Sequence, residues 1–66
     1  MTKIRIQARN NADARRMGSG EIRIPGAAKQ THNGDKTVIV QTDAIDTARA
    51  WLDDAHEVAS YEIAES

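Results

Sequence analysis

Residues 42–57, TDAIDTARAWLDDAHE, decide the architecture, because they hold the one long helical pattern and the one Trp of a 66-residue chain. Apolar side chains fall at Ala44, Ile45, Ala48, Trp51, Leu52 and Ala55. At about 100° per residue they share an arc roughly 120° wide, and every charged residue from Asp46 to Glu57 lies outside it. Thr42 or Asp43 is expected at the N-cap, where a side-chain oxygen accepts from orphan backbone N–H groups. Asp43 and Asp46 suit the positive end of the helix dipole. Asp53, Asp54 and Glu57 do not suit the other end, where carboxylates oppose it. Asp46, Asp53 and Glu57 project within about 40° of one another and flank the small Ala50. Two readings stand side by side: a solvated face, and an acidic ridge presented to a basic partner. Local rules tend to be broken at functional sites, which keeps the second in play.

Working outward, residues 36–41, KTVIVQ, precede the helix. Their contiguous Val38, Ile39 and Val40 predict an interior strand buried on both faces. Asn33-Gly34 before them is the preferred pair for a type I′ hairpin. Pro25-Gly26 fits the centre of a type II turn, or a bend or bulge in a chain that continues to His32. Residues 21–24, EIRI, alternate and predict a strand with Ile22 and Ile24 inward. Residues 10–20, NNADARRMGSG, read as a connector: either one helical turn capped by Asn11 and stopped by Gly18, or a flexible loop. Residues 3–9, KIRIQAR, alternate strictly, with Ile4, Ile6 and Ala8 on one side. Residues 58–63, VASYEI, predict a last strand with Ala59, Tyr61 and Ile63 inward.

The expectation is a single α+β domain over residues 1–66. It has a three- to four-stranded, mainly antiparallel sheet in the order β-β-β-α-β, with one helix packed on one face. The crossover returns the last strand parallel to the third, beside either the third or the first. The opposite, uncovered face is expected to carry Lys3, Arg5, Arg9 and Arg23. Basic and acidic charge would then lie on opposite faces of a thin molecule.

Charge distribution supports that polarity. Residues 1–40 hold eight Lys or Arg against three acids, a net of +5. Residues 41–66 hold one Arg against seven acids, a net of −6. Asymmetry of this kind points to a polar interaction surface. A chain this short buries only about 60% of its extended surface. With one Trp, one Tyr and no Phe, its core is built from Ile, Val, Leu and Ala, and a homodimer would relieve the shortage. The absence of Cys excludes disulfides and thiolate metal sites and suits a cytoplasmic setting. No leader and no long apolar run is seen, so neither a signal peptide nor a membrane span is expected.

Catalytic chemistry finds little support. His32, beside a turn, and His56, at a helix end, are too far apart to start a zinc site. Gly18-Ser19-Gly20 precedes a predicted strand, not a helix, so the phosphate-loop context fails. Ser19, Ser60, Thr31 and Thr37 have no base paired with them. No enzyme activity, cofactor or metal is expected. Nucleic-acid binding is the better alternative, through Arg5, Arg9, Arg15, Arg16 and Arg23. That surface lacks the aromatic side chains on which single strands stack.

Residues 37–63, TVIVQTDAIDTARAWLDDAHEVASYEI, resemble a module of small phage-encoded accessory proteins. Its pattern is an alternating strand, a Thr/Asp turn, an Ala-rich helix of about three turns, and a strand with an aromatic and an aliphatic residue. The layout is similar to the small RNA-polymerase inhibitors of lytic phages and to several anti-CRISPR proteins. The resemblance implies an inhibitor that works by binding, in the host cytoplasm, to a host protein or ribonucleoprotein complex. Asp46, Asp53, Asp54 and Glu57 are the expected contact, because carboxylates can stand in for phosphates in a basic nucleic-acid channel.

Overall fold

A computed structural model of the chain describes residues 2–64. The elements run β1 (Thr2–Ala8), α1 (Asn11–Ser19), β2 (Ala27–His32), β3 (Thr37–Thr42), α2 (Ile45–Asp54) and β4 (Val58–Ala64). The four strands form one sheet in the order β2-β3-β1-β4, with every neighbouring pair antiparallel. The α+β class and the antiparallel four-stranded sheet with a helix packed on it are as the sequence predicts. The order differs: it is β-α-β-β-α-β, the split β-α-β arrangement. Strand β4 settles beside the first strand, and it runs parallel to β3 because both oppose β1.

The second helix is the largest departure. Residues 10–20 are neither a loop nor a single turn. Asn10, not Asn11, is the cap: its backbone is extended (φ −154°) and its Oδ1 accepts the Asp13 N–H at 2.8 Å. Gly20, not Gly18, ends the helix in the left-handed region (φ 88°), donating its N–H to the Met17 carbonyl. Gly18 has a different task inside the helix. A Cβ there would lie 2.5 Å from the Cβ of His32 and 2.6 Å from its backbone nitrogen. The glycine lets α1 press directly against β2.

The EIRI segment is not a strand. Its backbone groups are satisfied by α1 and by one side chain rather than by a ladder. Ile22 donates to the Arg16 carbonyl at 3.1 Å. Gln30 of β2 accepts the Ile24 N–H at 2.8 Å and donates through Nε2 to the carbonyls of Met17 (2.6 Å) and Ile22 (2.8 Å). Alternation in this segment therefore buries Ile24, and half-buries Ile22, beneath a loop. The Pro25-Gly26 turn is as expected, with Gly26 at φ 82° and the Ile24 carbonyl accepting the Ala27 N–H. The next connection is longer than a two-residue hairpin. Residues 33–36 link β2 to β3, with Gly34 and Asp35 both at positive φ.

One face of the sheet holds the core. Ile4, Ile6, Ala8, Val38 and Val40 are buried against Ala14 and Met17 of α1, and against Ala48 and Leu52 of α2. Strand β3 alternates instead of burying both faces: Val38, Val40 and Thr42 are buried, while Thr37, Ile39 and Gln41 are half-buried. Thr42 is not the cap of α2, and neither is Asp43; Ala44 holds that position. The Thr42 hydroxyl accepts the Ala44 N–H and donates to the Gly26 carbonyl at 2.8 Å, tying the start of α2 to the turn before β2. In β4, Tyr61 and Ile63 stand opposite Ile6 and Ile4, but a bulge displaces Ala59, which is exposed.

Candidate partner-binding surface

Helix α2 stops at Asp54, so the predicted ridge regroups. Asp46 and Asp53 lie one and two turns along one face with Arg49 between them. The Tyr61 hydroxyl donates to the Asp53 carboxylate. Arg49 holds its proton more tightly than an ordinary arginine, first through a hydrogen bond with Tyr61, then by attraction to Tyr61, Asp53 and Asp46. In this half of the ridge one arginine offsets part of the charge of two carboxylates. Helical projection could not show the Tyr61 contact, because Tyr61 arrives from β4.

Glu57 lies in the turn beyond the helix, not on its face. There it joins Asp54 on a different surface. Ala50, Trp51, Asp54, Ala55, His56 and Glu57 line a shallow groove of about 330 Å³ at the C-terminal end of α2. Trp51 is half-buried, packed by part of its surface on the core. Asp54 is exposed and forms no ion pair among the described residues, and Glu57 has only His56 Nδ1 at 3.8 Å. A carboxylate pair beside an aromatic edge can take a cationic side chain by charge and by packing together. Among the described residues no cluster of three or more potential ligands could hold a metal ion. No helix there is long and apolar enough to cross a membrane.

The arginines do not share one surface. Only Lys3 and Arg5 of the predicted set lie on the open face of the sheet, and Arg5 Nη1 sits 3.3 Å from Glu62 of β4. Arg9 follows β1 and reaches Asp13 at 3.2 Å. Arg16 bridges Asp13 at 3.4 Å and Glu21 at 3.3 Å. Asp13, one of the two buried polar residues among those described, gathers two cations on its carboxylate at the start of α1, while its own backbone N–H donates to Asn10 Oδ1. Arg15 is exposed on α1 and Arg23 on the loop that follows it.

Both helices pack on the same face of the sheet, α1 mainly against β2, while α2 carries the chain from β3 past β1 to β4. Basic and acidic groups are therefore separated edge to edge rather than face to face. Comparison with protein-family models, with curated proteins and with solved structures finds no match to this chain.

Proposed function

We propose that this chain is a protein-binding inhibitor of the small phage type. On this reading, the C-terminal end of α2 docks on the basic channel of a nucleic-acid-handling enzyme. The observation that carries it is the groove beside Trp51, where Asp54 forms no ion pair among the described residues and Glu57 has no Lys or Arg beside it, only His56 at 3.8 Å. Asp54 and Glu57 replace Asp53 and Asp46 as the principal contact, since the latter two face Arg49 and Tyr61. The nucleic-acid reading is weaker, because three of its five arginines already hold carboxylates.

The test is competition. A nuclease or polymerase bound by the chain should be released by duplex DNA. The variant carrying Asp54→Lys and Glu57→Lys should bind it at least about tenfold more weakly, with unchanged far-UV circular dichroism. Undiminished binding of that variant at low salt would overturn the assignment.

A further inference from the structure

The sheet has two edges, and among the described residues only one is open. Backbone directions follow from two hydrogen bonds. Ala8 donates to Lys36 at 2.7 Å, toward β3, and Arg9 donates to Glu57 at 2.8 Å, toward β4. Strand groups alternate with period two, so Arg5 and Gln7 also turn toward β4. Their partners Glu62 and Ser60 turn back toward β1. The N–H and C=O of Tyr61 and Ile63 are left pointing out of the sheet. On the β2 edge, by the same alternation, the outward groups belong to Gln30 and His32. There α1 closes the edge, with Gly18 lying against the His32 backbone nitrogen. A bulge near Ala28 and the exposed Lys29 guard the rest. Strand β4 has no Lys and no Pro, and its Ile63 is 44% exposed.

We infer that β4 pairs antiparallel with β4 of a second copy of this chain, about a two-fold axis at Tyr61. Tyr61 is the midpoint of Val58–Ala64, so this register overlaps the whole strand. It is also a residue whose backbone groups point outward, so the two copies of Tyr61 exchange both hydrogen bonds. Ile63 then stands opposite Ala59 of the other copy, pairing two exposed apolar positions. Glu62, the one charged residue of β4, stands opposite Ser60 rather than opposite itself. A two-fold at Glu62 would set like charges face to face, which is destabilising. Burial, backbone pairing and charge thus favour the self-complementary register.

The test is oligomeric state with a register-specific cross-link. Sedimentation should give twice the 7.2 kDa mass of one chain. Ile63→Pro removes an outward N–H and no bond to β1, and should weaken the dimer at least about tenfold. Because the chain has no Cys, single thiols report position cleanly. Ser60→Cys mixed with Glu62→Cys should form a mixed disulfide, since facing residues in a non-hydrogen-bonded pair lie about 4.5 Å apart at Cα. Each variant alone should cross-link poorly. A monomer at high concentration overturns the proposal, as does self-linking as fast as mixed linking. If only a foreign strand is taken up at this edge, self-pairing is likewise excluded. None of these readouts depends on the enzyme proposed as a docking partner.

Discussion

Replacing Gln30 should be the most damaging polar substitution in the molecule. Its amide serves one backbone N–H and two carbonyls that belong to α1 and to the loop after it. Gln30→Ala removes three hydrogen bonds at about 1 kcal/mol net each. Water reaches part of the site, so the loss is about 2–4 kcal/mol. A domain of this size has only about 3–10 kcal/mol in total. With a urea slope near about 1 kcal/mol/M, the midpoint followed by Trp51 fluorescence should fall by about 2–4 M. Gln30→Glu sharpens the test. A carboxylate can still accept from Ile24, but it has no proton for the Met17 and Ile22 carbonyls, and only the acid form can donate to one. The folded-state carboxyl is therefore raised above the usual value near about 4.3. A raised group contributes stability that is fully present below the unfolded value and lost as pH rises through the folded one. Measured against the parent protein, the deficit of Gln30→Glu should be smaller at pH 4 than at pH 7. A midpoint shift under about 0.5 M for Gln30→Ala, or a Gln30→Glu deficit equal at both pH values, would refute the reasoning.

Three other outcomes follow from single contacts. Gly18→Ala should destabilise by at least about 2 kcal/mol although alanine favours helix by about 1 kcal/mol, because the new methyl meets His32 backbone and Cβ; calorimetry checks the sign. Thr42→Val leaves the Gly26 carbonyl and the Ala44 N–H without their partner and should cost about 1–3 kcal/mol, read from urea denaturation. Raising salt from about 0.05 M to 0.5 M should tighten the β4 dimer, by screening the acidic α2 surfaces near the axis, and should loosen docking on a basic enzyme. Sedimentation and binding isotherms read the two effects separately, and movement in the same direction would contradict one of the two interfaces.

Much of the framework was legible because it rests on local patterns. Strict alternation in KIRIQAR, the apolar arc of α2 and the Pro-Gly turn each correspond to one physical cause. The failures share a different origin. EIRI alternates like a strand, yet its hydrogen bonds are taken by Gln30, a residue that sequence alone had no reason to single out. Asn10 and Gly20 do carry the cap and stop signals of α1. The interior Gly18 masked them, because a glycine needed for close packing looks like a glycine needed for termination. The acidic ridge was half legible. Helical projection placed Asp46 and Asp53 together, but it extended to Glu57, past the true end of the helix, and it could not bring in Tyr61 from another strand.

The location of α1 changes what the charge pattern means. With one helix, the sheet would separate positive from negative across its thickness, and only one sign could meet a given partner. With two helices on one face, both the acidic α2 and the basic α1 lie on the covered side, and on the open face Arg5 is offset by Glu62. The polarity instead runs along the plane of the sheet, from α1 and the loop after it toward α2 and β4. At its basic end Asp13 holds Arg9 and Arg16, and Glu21 shares Arg16, while Arg15 and Arg23 stay exposed. At the acidic end Arg49 lies near Asp46 and Asp53, and no Lys or Arg lines the Trp51 groove. The carboxylates beside the aromatic groove make the surface at this end of the molecule locally negative. That negative surface, together with an unguarded strand next to it, places both proposed interactions at the α2–β4 end of the molecule.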